Sequence, residues 1–206
     1  MSQRGRPKTF DRETALEAAM LLFWDRGFEQ TSVDELAAAM GIRTSSLYSS
    51  FGDKEALFLA AVAHYQAGKG SIYDIAVNKG KTAKAAFTNL FKLAAVEMTR
   101  NNQPRGCMLA VALPTCSPKY DKLQKELHLL RPLSEVIWVT RLQAAVRAKE
   151  IPASTNVHLL ATFFRTTLLG MSLQARAGAS RETLMKIGKL ALKTWPRKVS
   201  RESRAE

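Results

Sequence analysis

Residues 31–54, TSVDELAAAMGIRTSSLYSSFGDK, narrow the choice of fold more than any other stretch of the chain. Val33, Leu36 and Ala37 fall on one face at helical spacing, and both Thr31 with Asp34 and Ser32 with Glu35 fit a capping box. The spacing predicts a helix beginning near Ser32. Met40-Gly41-Ile42 then places a glycine, free to take positive φ, at a tight turn between two apolar residues that pack the corner. A second helix follows at once, in which Thr44, Ser45, Ser46, Tyr48, Ser49 and Ser50 surround Leu47 and Phe51. One turn of core contact wrapped in hydroxyls packs poorly and makes a good reading surface.

The flanking segments are helical as well. Asp11 is placed to cap a helix in which Leu16, Ala19, Met20 and Phe23 recur at i, i+3, i+4 and i+7 until Gly27 stops it; Trp24 and Phe28 are packing residues. Asp53 caps a further helix carrying Leu57, Ala61 and Tyr65, which Gly68 and Gly70 interrupt. Residues 71–81 have little pattern, after which Ala86, Leu90, Leu93, Ala94 and Met98 share a face. Residues 119–149 form a longer amphipathic stretch that Pro132 kinks or divides. Residues 157–175 carry two apolar stripes, one of Val157, Leu160, Phe164, Leu168 and Met171, the other of Leu159, Phe163, Thr166 and Gly170. Two apolar faces imply two neighbours. Ser180 caps the last helix, where Leu184, Ile187, Leu190, Ala191 and Trp195 align and Gly188 permits a close approach. No period-two pattern persists, so the fold class is all-α. The expected division is a basic arm over 1–9, a DNA-binding head over 10–54, a body over 55–196 and a basic tail over 197–206.

The chain has 206 residues and a net charge of +13, which suggests a polyanionic partner. The excess is not in the head, where residues 1–52 carry six Lys or Arg against seven Asp or Glu. From 151 onward ten Lys or Arg face three Glu. The cations nearest the head are Arg4, Arg6 and Lys8, and Arg4-Gly5-Arg6-Pro7 has the makings of an arm lying in a narrow minor groove. Cys107 and Cys116 are too few for a disulfide scaffold and lack the spacing of a structural zinc site. A cytoplasmic protein with no membrane span, no metal and no cofactor is expected. His64, His128 and His158 stand apart, outside any HExxH, GxSxG or P-loop spacing, so an enzyme is not expected.

Ala15, Ala19, Leu22-Phe23 and Gly27, then Thr31-Ser32-Val33, Leu36-Ala37, Met40-Gly41-Ile42, Ser46-Leu47-Tyr48, Phe51 and Lys54-Glu55-Ala56-Leu57, form an ordered pattern. Through it, residues 4–65 resemble the DNA-binding domain of the tetracycline-repressor (TetR/AcrR) family of bacterial transcription regulators. Gly106-Cys107-Met108-Leu109 with Cys116-Ser117-Pro118, and Gly170-Met171-Ser172-Leu173-Gln174-Ala175-Arg176 with Gly178-Ala179-Ser180-Arg181, are similar to a subgroup of that family.

The resemblance implies about nine helices: three in a helix-turn-helix head and the rest in a regulatory and dimerisation body. It also implies a homodimer through a four-helix bundle of the last two helices, and hence a double-stranded operator with inverted repeats. In such a complex Thr44, Ser45, Ser46 and Ser49 present hydroxyls to bases or phosphates. Tyr48 matches the family tyrosine that contacts phosphate, and Thr31 and Lys54 would hold phosphates beside helix N-termini. Arg43 has two readings, a bidentate partner for guanine or a phosphate contact. The body is expected to hold a small, largely apolar inducer among Phe87, Phe91, Met98, Cys107, Met108, Trp138, Phe163, Phe164, Thr167 and Met171, residues that equally suit a helical core. The dimer face is expected at Leu159, Phe163, Thr166, Gly170, Leu184, Ile187, Gly188, Ala191 and Trp195. Two alternatives stand beside a ligand-released repressor. One is an architectural DNA-binding protein. The other is a regulator that senses thiol chemistry or a soft metal through Cys107 and Cys116, with Arg105 close enough in sequence to lower a thiol pKa.

Overall fold

The computed structural model describes residues 10–111, 118–129 and 132–197, and every regular element among them is helical. The first helix, α1 (Arg12–Arg26), begins where Asp11 accepts the Glu13 N–H and ends at Gly27, whose φ of 82° turns the chain away. Of the two capping boxes the spacing allows, the Ser32–Glu35 pair forms: the Glu35 N–H donates to the Ser32 hydroxyl at 3.2 Å and the Ser32 N–H to the Glu35 carboxylate at 2.8 Å. It opens α2 (Val33–Ala39). Gly41, at φ 67°, makes the turn, and the Ile42 N–H donates to the Ala37 carbonyl at 3.0 Å. Then come α3 (Thr44–Phe51) and α4 (Lys54–Ala67), the latter capped by Asp53 on the Ala56 N–H at 2.8 Å.

These four helices share one core. Leu16, Met20, Phe23 and Trp24 of α1 meet Leu36 of α2, Leu47 of α3, and Leu57, Phe58, Ala61 and Tyr65 of α4. Phe23 meets Phe58 edge-on at 4.9 Å and Trp24 meets Tyr65 edge-on at 5.2 Å, contacts that fix α4 against α1. Burying each such side chain stabilises the head by about 1.5–3 kcal/mol. A division at residue 54 separates α4 from this core, whereas its apolar face belongs to the head along most of its length.

The body adds α5 (Ser71–Asn78), α6 (Ala83–Glu97), α7 (Met108–Val111), α8 (Asp121–Leu129), α9 (Pro132–Arg147), α10 (Val157–Arg176) and α11 (Arg181–Ala191). Eleven α-helices thus lie among the described residues, against about nine expected. One of the extra helices is α5, only eight residues long, in which Tyr73 and Val77 are buried. Pro132 stands at the first described position of α9, where a missing N–H costs nothing.

A second core joins α5, α6, α9, α10 and α11 around Phe87, Phe91, Trp138, Phe164 and Trp195. Phe87 contacts Phe164 at 5.0 Å, and Phe164 stacks on Trp195 at 6.0 Å. Two sets of expected site residues fall in this core. Phe87, Phe91, Met98, Phe164 and Met171 are at most 2% exposed and pack inside it. Leu184, Gly188 and Ala191, on the side of α11 packed onto α6, are buried within this chain together with Trp195, whereas Leu190 of the same helix is exposed. Head and body meet where Met108, Leu123 and Leu127 enter the head core and Tyr120 meets Phe28 edge-on at 5.0 Å. Among the described residues no helix is long and apolar enough to cross a membrane.

Candidate nucleic-acid interface and body cleft

Leu47 and Phe51 anchor α3 in the head core, which leaves the opposite face of the helix outward. Ser45, Tyr48 and Ser49 are exposed on it, Tyr48 by 51%, and Ser46 is half-buried. Arg43 stands just before the first turn in extended conformation (φ −79°, ψ 150°), exposed and with no capping bond from its side chain. The Thr44 hydroxyl donates to Asp34 of α2 at 3.2 Å, which ties the two helices together across the turn. The Ser49 hydroxyl donates to the Ser46 carbonyl at 3.1 Å. The α2 side of the turn is acidic, with Glu35 paired to Arg26 at 2.6 Å. Its Ser32 contacts and Arg26 hold the Glu35 carboxyl below the usual range.

Two expected phosphate contacts look different in the fold. Thr31 is fully buried and its hydroxyl donates to the Gly27 carbonyl at 2.7 Å, so that hydroxyl fastens α1 to the start of α2 and is not open to a phosphate. Lys54 is half-buried, with its ammonium 4.5 Å from the centre of the Phe28 ring. Burial draws its pKa down, against the pull of Glu29. To reach a phosphate it has to swing off that ring. Arg4, Arg6 and Lys8 lie outside the described residues.

The body opens in a cleft of about 320 Å³ between α4, α5, α7, α9 and α10. Tyr65, Tyr73, Cys107, Leu109, Trp138 and Leu173 supply most of its wall, with Asp74 and Arg165 as charged groups. The Trp138 Nε1–H points to Asp74 at 3.4 Å, and Arg165 pairs with Glu135 at 3.1 Å. Of the residues expected around a ligand, Cys107 and Trp138 line this cleft. Met108 turns the other way, into the head core, and Phe163 and Thr167 face shallow hollows on the outside of α10 and α11. Tyr73 and Asp74 belong to the segment with little sequence pattern, and Tyr65 reads in the sequence as part of an apolar stripe, while Gly70 leaves the space that the Tyr65 ring fills.

Cys107 is half-buried, and the Tyr65 hydroxyl donates to its sulfur at 3.2 Å. Its own N–H donates to the Ser172 hydroxyl at 2.7 Å. Burial pushes the thiol pKa up, and the Tyr65 bond offsets only part of that. The Arg105 guanidinium donates to the Ala179 carbonyl. Cys116 lies outside the described residues.

The outer face of α10 and α11 is apolar and uncovered. Leu159 is 65% and Leu190 63% exposed, and Phe163, Thr166 and Gly170 are exposed on the same side of α10. Ile187 is half-buried beside them.

Residues 15–61 match the family model described as bacterial regulatory proteins, tetR family. The chain is 34% identical over 194 residues to the HTH-type transcriptional repressor ComR of Escherichia coli (strain K12), covering 94% of this chain and 92% of ComR. It is 25% identical over 180 residues to the HTH-type transcriptional repressor BdcR of the same strain, covering 87% and 86%. Among solved structures it superposes on the TetR family transcriptional regulator CifR, in a cysteine-substituted form complexed with 26-base-pair double-strand operator DNA. The TM-score is 0.88, with 35% identity over 93% of this chain and all of the CifR chain.

Proposed function

The chain belongs to the TetR family of bacterial regulatory proteins, and from that premise we propose that it is a repressor. It binds an inverted-repeat operator as a homodimer and leaves it when a small molecule enters the body cleft. The observation that carries the reading is the outward face of α3. Ser45, Tyr48 and Ser49, led by Arg43, are presented to the outside by a helix whose other face is locked by Leu47 and Phe51. Short hydroxyls and a tyrosine on a rigid helix suit base edges and phosphates of a major groove. Thr44 and Ser46 support it from the same helix, and Lys54 with the arm cations Arg4, Arg6 and Lys8 adds phosphate contacts. The relatives ComR and BdcR are named as repressors, and CifR was solved on operator DNA, which favours the same action here.

The uncovered face at Leu159, Phe163, Thr166, Gly170, Ile187 and Leu190 supports a homodimer, since an apolar face of this kind is stable when a second copy covers it. The cleft suits a small, largely apolar inducer with one polar end. Such a ligand acts if it binds better to a spacing of the two heads that the operator does not accept. We assign no reaction to the protein, and as a regulator of bacterial DNA it works in the cytoplasm. Selection of duplexes from a randomised pool tests the reading: an inverted repeat should emerge, and a pool that stays without consensus argues for an architectural protein.

A second reading keeps the dimer and operator but makes Cys107 the sensor. Its place in the cleft wall and the Tyr65 hydroxyl on its sulfur favour a thiol that meets what enters. A Cys107→Ser protein that still leaves DNA when oxidant is added would remove this reading and spare the first.

A further inference from the structure

Besides the covalent link through α4 and the packing of Met108, Leu123, Leu127 and Tyr120 on the head, a polar junction lies at the end of α1. Arg176, the last residue of α10, sets its guanidinium against the C-terminus of α1. One nitrogen donates to the Asp25 carbonyl and another lies 3.5 Å from the Asp25 carboxylate. Helix ends leave carbonyls without partners, and a guanidinium can serve a carbonyl and a carboxylate together.

The residues just after Asp25 carry the contact onward. Arg26 pairs with Glu35, whose carboxylate holds the Ser32 N–H that opens α2. The buried Thr31 hydroxyl holds the Gly27 carbonyl. The corner between α1 and α2 is therefore gripped by the body on one side and starts the helix-turn-helix on the other. At its opposite end the grip belongs to a 20-residue helix that also lines the cleft through Arg165, Leu168, Leu169 and Leu173.

We propose that Arg176 is a positioning residue for operator binding: its clasp on the C-terminus of α1 fixes the angle at which the body holds the reading helix. Through the same clasp, a displacement of α10 at the cleft reaches α2 and α3. The proposal rests on the operator-binding reading above. We take the clasped arrangement as the one that binds operator, in a fold that superposes at a TM-score of 0.88 on a relative complexed with operator DNA. Both side chains of the pair are partly exposed, 33% for Arg176 and 59% for Asp25, so the pair does little for stability as such.

The test uses the full chain and two labelled duplexes, one enriched by the wild-type protein from a random pool and one of mixed sequence. Arg176→Ala and Arg176→Gln should weaken binding to the enriched duplex by about three- to thirtyfold. Affinity for the mixed duplex and the melting temperature should stay at wild-type values. Arg176→Lys should recover part of the loss, and Asp25→Asn, which keeps the carbonyl acceptor, should lose less than Arg176→Ala. Unchanged affinity for the enriched duplex, or equal losses on both duplexes, overturns the proposal. A wild-type protein that enriches no sequence strikes the operator reading instead, and that is seen before any variant is made.

Discussion

Gly188 and Gly170 both stand inside helices, yet a methyl group added at each meets different surroundings. At Gly188 the new carbon would lie 2.7 Å from Phe91 Cβ and 3.2 Å from its Cγ, while at Gly170 nothing lies within 4 Å. Carbon atoms in contact prefer about 3.5–4.0 Å. Phe91 cannot simply turn away: it is 2% exposed and its ring meets Phe164 edge-on at 5.6 Å. Overpacking of this kind costs about 1–3 kcal/mol. Alanine for glycine inside a helix returns about 1 kcal/mol at either site. That term cancels when the two variants are compared, and the difference isolates the clash. In a chain of this length 1 kcal/mol moves the melting temperature by roughly 2–4 °C. Gly188→Ala should therefore melt about 2–12 °C below Gly170→Ala when both are scanned at low protein concentration. At high concentration the Gly170 variant should lose part of its advantage if the proposed dimer closes over that face. Equal melting temperatures at low concentration would refute the placement of Gly188 against α6.

Tyr48→Ala should weaken binding to enriched and mixed duplexes alike, by about three- to tenfold, as loss of a phosphate contact does, with the melting temperature unchanged; anisotropy titrations check this. Tyr48→Phe should show a similar loss if the hydroxyl makes the contact. Glu17 tests the electrostatics of the α1–α4 join, where it faces His64 at 3.0 Å and Lys69 at 2.5 Å. Burial raises its pKa, but Lys69 and His64 outweigh this and leave it below the ordinary value of 4.5. The folded state thus binds that proton more weakly than the unfolded one. The Glu17 contribution is complete above about pH 4.5 and is lost as the pH falls through the lower folded value. Glu17→Gln should cost up to about 1 kcal/mol at pH 7 in urea unfolding, with the gap to wild type narrowing as the pH falls below about 4.5.

The head was legible because its signals are local. Asp11, Ser32 and Asp53 cap their helices through bonds within three residues, Gly27 ends α1 as its place in the pattern implies, and Gly41 takes the expected positive φ. The body was less legible, because an apolar stripe does not say what it faces. Phe163 and Phe164 are neighbours in sequence, yet Phe164 is buried in the core and Phe163 is exposed outside. The stripe of α11 reads as one face, yet Leu184 and Ala191 are buried within the chain while Leu190 is exposed. Thr31 carried a capping-box spacing and a family likeness, and neither reveals that a threonine turns inward to hold a carbonyl four residues back. The clasp of Arg176 on Asp25 joins residues 151 positions apart, which no periodicity can reveal.

The central claim is that two copies of α3 read one operator together. Footprinting of the wild-type protein on an enriched duplex, with the stoichiometry of the complex taken from sedimentation, tests it most directly. The account predicts two chains per duplex and two protected half-sites in an inverted repeat, their centres about 34–36 Å apart along the DNA. One chain per duplex, or continuous protection of DNA of any sequence at moderate salt, would contradict it.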